Sequence, residues 1–264
     1  AAAASGGNGG EAMMSRLARI AGLLLLALTV VAPAQDADST TATLGAIALD
    51  RATRTFSVPG RFLGQDGELG HQLLEYLAVK RDGYKAYEAV LELDTTATEF
   101  NLACILIGLD AANATLPEYH FDPKPVEGDR VELWVQWENA GALQRVRPSE
   151  LILMDGEPVS DHHWVYTGSE MVAPDIYLAE QSGTLVGFVH DRDSIIEHRN
   201  GISLGAPNVP QLNRALMPPP NTPIQLVVHN PVPARSRPAE PSDTVTGADA
   251  ATEADAAVVK PREP

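Results

Sequence analysis

The chain has one cysteine, Cys104, in 264 residues. A single thiol excludes an internal disulfide framework, a cysteine-ligated iron–sulfur cluster and a thiolate zinc site, because each needs two or more sulfurs in one place. Basic side chains are also scarce: 19 Lys and Arg stand against 35 Asp and Glu, a net charge of −16 with a pI near 4.7. Nucleic acid and anionic membrane surfaces repel such a protein, so neither is expected as a partner. The apolar run Ile20–Val31 falls short of the ~20 residues a helix needs to cross a bilayer. Repeats at the periods that build solenoids or propellers are missing too.

What is present begins with an export signal. The first methionines are Met13 and Met14, after AAAASGGNGGEA, and translation is expected to start at one of them. A short basic stretch with Arg16 and Arg19 leads into the apolar run, which ends in Ala32-Pro33-Ala34. That layout is a cleavable secretory signal, with cleavage expected after Ala34. Retention of the segment as a membrane anchor is the alternative. No cysteine follows the run, so the lipoprotein form of the signal is not available. Loss of residues 1–34 removes Arg16, Arg19 and Glu11, leaving 17 basic and 34 acidic side chains, a net −17. The expected location is periplasmic or secreted, with no stable membrane span after cleavage.

Residues 35–43, rich in Asp, Ser, Thr and Ala, read as a linker, and residues 44–230 as one globular domain. The stretch 231–264 has six prolines, eight alanines and no aromatic residue. It cannot bury enough apolar surface to offset its ordering entropy and is expected to be disordered.

Within the domain, apolar and β-favouring residues alternate or cluster between turn signals. Thr55–Val58 stops at Pro59-Gly60. Leu74–Val79 and Tyr87–Leu93 flank Arg81-Asp82-Gly83 and read as a hairpin. Val131–Trp137 and Leu143–Val146 form another around Asn139-Ala140-Gly141. Leu151–Met154 breaks at Asp155-Gly156, and Trp164–Tyr166, Ile176–Leu178, Leu185–Val189 and Ile224–Val228 complete the strands. Thr96 and Glu99 have capping-box spacing ahead of the apolar stretch Phe100–Leu109, which predicts a helix over about 96–109, buried against the sheet. Ser194 and Glu197 repeat that spacing before Asn200-Gly201, which predicts a short helix over about 194–199. The expected fold class is α+β, a mostly antiparallel sheet with one buried helix.

Several of these residues resemble a known family. Glu75-Tyr76-Leu77-Ala78, then Lys85, then Tyr87-Glu88-Ala89-Val90-Leu91, then the helix closing in Ile105-Leu106-Ile107-Gly108-Leu109 are similar to the opening of the YdjY domain, found in exported bacterial proteins. Gly128-Asp129, the strand Val131–Glu138, Leu151-Ile152-Leu153, Trp164–Ser169 and Asn221-Thr222-Pro223 fit the same outline, so the similarity spans about Phe56 to Val228. The resemblance implies export but no established activity. A ferredoxin-like label given to some members has no support in a chain with Cys104 alone. The family often has histidine before the glutamate of its Lys-x-x-Glu stretch; Tyr87 stands there here, which weakens a metal or catalytic role at that spot.

Candidate sites are few. Cys104, between Ala103 and Ile105, reads as a core residue. His162, His163, His190, Asp191 and His198 supply nitrogen and carboxylate donors suited to a divalent transition metal, at predicted strand edges that could converge. No spacing among them matches a recognised metal motif. In the competing reading His162 and His163 are turn residues, while Asp191 and Asp193 bond nearby backbone N–H groups. Ser169 lacks the strand–elbow–helix setting of a hydrolase nucleophile. Glu75 and Glu88, on the two arms of the predicted hairpin, could form an acid–base pair, although strand glutamates usually face solvent. Trp134 and Trp137 fall on opposite faces of their strand, which hints at one exposed contact residue.

No catalytic constellation is complete. The expected function is a non-enzymatic module that binds an envelope protein partner or assists assembly of an envelope complex, without a cofactor. The alternative is a metal-binding protein or metal-dependent hydrolase built on the His/Asp set.

Overall fold

The computed structural model describes residues 40–64, 74–202 and 210–232. The expected signal segment, most of the linker and the tail beyond residue 232 lie outside the described residues. The strands are β1 (Thr41–Leu44), β2 (Ile47–Asp50), β3 (Thr55–Phe62), β4 (Tyr76–Lys80), β5 (Ala89–Leu93), β6 (Asp129–Asn139), β7 (Ala142–Val146) and β8 (Ile152–Met154). They continue with β9 (Glu157–Pro158), β10 (Trp164–Tyr166), β11 (Met171–Ala173), β12 (Ile176–Tyr177), β13 (Thr184–Gly187), β14 (Ile196–His198), β15 (Gln211–Leu212) and β16 (Pro223–His229). The helices are α1 (Ala97–Leu106) and α2 (Leu178–Ser182).

Eight strands close into a barrel in the order β3, β16, β6, β10, β14, β13, β4, β5, and β5 pairs back onto β3. All neighbours are antiparallel except β13 with β14 and β4 with β5. β1 and β2 extend the sheet from β3, and β7 extends it from β6. The expected α+β class with one buried helix is therefore corrected to a mostly β fold built on a closed barrel. Closure removes the edges that an open sheet must protect.

The closing seam explains why Pro59-Gly60 does not end its strand. β3 pairs with β2 up to Ser57 and with β5 from Gly60 onward. Pro59, with no N–H to donate, falls where the partner on that side changes. At Gly60 a Cβ would lie only 2.2 Å from the Glu92 carbonyl oxygen, so a side chain there would push β5 away.

The hairpin β6–β7 matches its sequence signal. Val131, Leu133, Val135 and Trp137 point into the core, and Ala140 and Gly141 both take positive φ, as a two-residue type I′ turn requires. The predicted hairpin around Arg81-Asp82-Gly83 is corrected: β4 and β5 run parallel. Asp82 does turn the chain at φ 58, but a 3₁₀ segment, Tyr84–Glu88, then carries it back before β5 begins.

The helix predicted over 96–109 spans Ala97–Leu106, with the Thr96–Glu99 capping box formed in both directions. It is not buried all round. Ala97, Phe100, Ala103 and Cys104 face the core, Phe100 meeting Phe56 edge-on at 5.4 Å, while Leu102 and Ile105 are 42% and 50% exposed. The helix predicted over 194–199 is instead strand β14, held between β10 and β13. β-branched Ile196 suits the strand, which Ile195 leads into, and six residues are too few to offset helix nucleation.

Candidate functional site

The strongest cluster of chemistry lies where β4 starts beside the end of β13. Glu75 precedes β4, and its backbone N–H donates to the Glu88 carbonyl at 3.0 Å, which sets the two glutamates side by side on parallel chains. Its own carbonyl accepts from the N–H groups of Phe188 (2.8 Å) and Val189 (3.3 Å). Both glutamate side chains are largely buried, contrary to the solvent-facing placement usual for strand glutamates. The 3₁₀ segment before β5 supplies Lys85, Tyr87 and Glu88.

Lys85 is the hub. Its Nζ donates to the Tyr76 hydroxyl at 2.6 Å and to Asp191 Oδ2 at 3.1 Å, and the Tyr76 hydroxyl donates to the same Oδ2 at 2.5 Å. Burial works against the Lys85 charge, but Asp191 outweighs it and holds the ammonium above its ordinary pKa. Asp191 sits below the usual carboxylate range: burial opposes ionisation, and Lys85, the Tyr76 hydroxyl and the Asp193 N–H overcome it.

His120 completes the group from a loop. Its Nε2 lies 3.2 Å from Glu75 Oε2, and its ring stacks on Phe121 with centroids 4.2 Å apart. The hydrogen bond to Glu75 raises its pKa. The loop is tied down by Asp122, whose carboxylate accepts from the N–H groups of Glu118 and Lys124, and by the Phe121 N–H bonding the His190 carbonyl at 3.0 Å.

Negative charge is left over. Burial and then the neighbouring Glu75 raise the Glu88 pKa; burial and then Asp191 raise that of Asp193. The exposed Tyr84 and Tyr87 lie at its edge, beside Lys85 and Glu88 respectively. Behind it, Glu197 is fully buried and its Oε1 accepts the Asp191 N–H at 2.8 Å. Glu197, Gly187 and Tyr76 are in register across β14, β13 and β4.

Of the five residues singled out as metal donors, only Asp191 belongs to this cluster. Both ring nitrogens of the buried His190 face carbonyl oxygens: Nδ1 that of Asp122 at 2.6 Å, Nε2 those of His198 and Arg199 at 3.1 Å. His162 Nδ1 bonds Ser149 Oγ at 2.7 Å, and the His163 N–H donates to Asp161 Oδ1 at 3.0 Å. His198 Nε2 meets the Asp161 carbonyl at 3.1 Å, and its ring abuts Trp164 edge-on at 5.1 Å. Among the described residues no three His, Cys, Asp or Glu side chains are placed to hold one ion. The Asx-type bond predicted for Asp191 is present, from the Asp193 N–H at 3.2 Å.

Two other candidates have structural settings. Cys104 is fully buried, and burial raises its thiol pKa well above the ordinary value. Ser169 Oγ donates to the Arg192 carbonyl and accepts the Ala179 N–H. His120 and Tyr76 carry no signal of a site in the sequence. His120 lies in a loop with no motif around it, and Tyr76 reads there as an ordinary strand aromatic.

The family model described as YdjY domain matches residues 47–229, which include every residue of the cluster. No curated protein and no solved structure matches the chain.

Proposed function

The chain belongs to the YdjY domain family, and on that premise we propose that it is a non-enzymatic binding module of the cell envelope whose carboxylate cluster receives a basic group of a partner protein. One observation carries the reading. Glu75, Glu88, Asp191 and Asp193 gather around Lys85 and His120, and like-charge neighbours add to burial in raising Glu88 and Asp193. An incoming ammonium or guanidinium group relieves that repulsion, and exposed tyrosines offer it aromatic faces. The expected export signal motivates the envelope setting, where a basic partner would be drawn to a mature chain of net −17.

The test is retention of a partner from envelope extracts after cross-linking. Wild-type protein is expected to retain one, and the Glu75→Gln/Glu88→Gln variant to lose it. Failure of the wild type to retain any partner, or equal retention by the variant, counts against the proposal. Elemental analysis of protein purified without chelators addresses the metal alternative. The expected result is no stoichiometric transition metal; about one ion per chain, lost in His190→Ala, would favour the His/Asp set instead.

A further inference from the structure

A second surface lies on hairpin β6–β7. Trp134 points away from the core, and two guanidinium groups lie over its indole ring: Arg145 Cζ at 4.2 Å and Arg147 Cζ at 4.1 Å from the centroid. Among the described residues neither guanidinium is ion-paired with a carboxylate; Arg147 has one long bond, 3.5 Å, to the Leu133 carbonyl. The nearby Glu132 is engaged elsewhere, 3.3 Å from His229 and 3.9 Å from Arg130. Glu150 is engaged as well, its Oε2 accepting the Arg147 backbone N–H at 2.8 Å, which leaves the two guanidiniums without a carboxylate among the described residues in a protein of net −16. Cation–π contact fixes the two guanidiniums but leaves their N–H edges to find acceptors.

The chain itself supplies acceptors close by. β16 pairs with β6 so that Val227 lies opposite Trp134, and the His229 ring is 6.3 Å from that of Trp134. The described chain ends three residues later, at Val232. Beyond it, Glu240–Asp255 carries Glu240, Asp243, Asp249, Glu253 and Asp255 and no basic residue. Seven residues lie between Val232 and Glu240, which gives Glu240 a reach of up to about 26 Å from Val232. Glu253 and Asp255 are two apart, as Arg145 and Arg147 are, so an extended segment presents both carboxylates on one side.

We infer that the outer face of hairpin β6–β7, at Trp134, Arg145 and Arg147, is the docking site of this chain's own acidic stretch Glu240–Asp255. Tethering gives that stretch an effective concentration on the order of millimolar, so modest contacts suffice. Because the contacts are exposed ion pairs, salt beyond the ~10 Å Debye length of 0.1 M solution weakens them.

The test uses the full chain, isotope-labelled, with a spin label at Ala254→Cys; native Cys104 is buried and stays unlabelled. At low salt the Trp134 indole N–H signal is expected to be lost relative to the same sample with the label reduced. High salt should restore it, as should Arg145→Gln/Arg147→Gln. Glu253→Gln/Asp255→Asn, which leaves the barrel untouched, should weaken the loss as well. An unchanged Trp134 signal at low salt overturns the inference, as does equal loss in the arginine variant. Equal loss when label and isotope sit on different chains of a mixed sample overturns it in favour of a second copy.

Discussion

Truncating Asp191 to alanine is expected to cost about 3–5 kcal/mol of stability, the loss typical when one partner of a buried ion pair is removed. The Asp191 and Lys85 side chains are only 9% and 12% exposed. Without the carboxylate, the Lys85 ammonium keeps a phenol as its close partner, which cannot repay its desolvation. The Tyr76 hydroxyl and the Asp193 N–H lose their acceptor in the same step. Urea denaturation should show a lower midpoint with an unchanged slope. Adding Lys85→Met should recover part of the loss, because an apolar side chain leaves no charge buried. A cost below about 1 kcal/mol would place the pair with ordinary surface salt bridges. The pH dependence has a definite sign: Asp191 is held below its ordinary pKa, so its contribution is present above about pH 4 and lost as pH falls through the folded-state value.

Glu197→Gln is expected to act in the opposite direction and to stabilise the protein increasingly as pH rises. Burial holds the Glu197 carboxyl well above the ordinary value of 4.5; the Asp191 N–H opposes this and the Asp191 charge adds to it. The native state therefore keeps a proton that the unfolded chain gives up, and the Glu197 contribution to wild-type stability falls as pH rises above 4.5. The slope is about 1.4 kcal/mol per pH unit for as long as the native group stays protonated. Glutamine does not titrate, and its Oε1 can still accept the Asp191 N–H. The advantage of the variant should therefore grow steadily above pH 4.5 until the native carboxyl ionises. Glu88 and Asp193 titrate with the same sign but are present in both proteins, so the comparison isolates Glu197. Parallel stability curves for the two proteins would show that Glu197 is ionised in the fold.

Local features were legible wherever the physics is local. The alternation of Val131, Leu133, Val135 and Trp137 and the turn at Ala140-Gly141 define a hairpin on their own, and the Thr96–Glu99 capping box marks the start of α1. What stayed hidden depends on pairing between distant segments. A turn at Asp82 reverses the chain whether the next strand pairs antiparallel or, as here, a 3₁₀ segment delivers a parallel one. Closure of β5 on β3 depends on a close approach at Gly60 that a glycine beside a proline does not announce. Ile196–His198 is strand because β10 and β13 flank it, and capping spacing nearby does not compete.

The site divides in the same way. Glu75 and Glu88 are legible as a carboxylate pair, but Tyr87 argues against a role for the Lys-x-x-Glu stretch and strand glutamates are expected to face solvent, whereas the fold buries both. Asp191 is legible as a metal donor, but its partner in the fold is Lys85, some hundred positions earlier in the chain. His120 arrives by a loop whose anchoring through Asp122 and His190 has no sequence signature.

The carboxylate site is tested most directly by calorimetric titration of the full-length protein with a short lysine- and arginine-rich peptide. Wild-type protein is expected to bind with an affinity that falls as salt rises. Glu75→Gln/Glu88→Gln should bind at least about tenfold more weakly, roughly 1.4 kcal/mol, and Glu138→Gln, on the exposed end of β6, should match the wild type. Binding of equal strength in the Glu75/Glu88 variant, or none in the wild type at low salt, would contradict a cation-receiving role for this cluster.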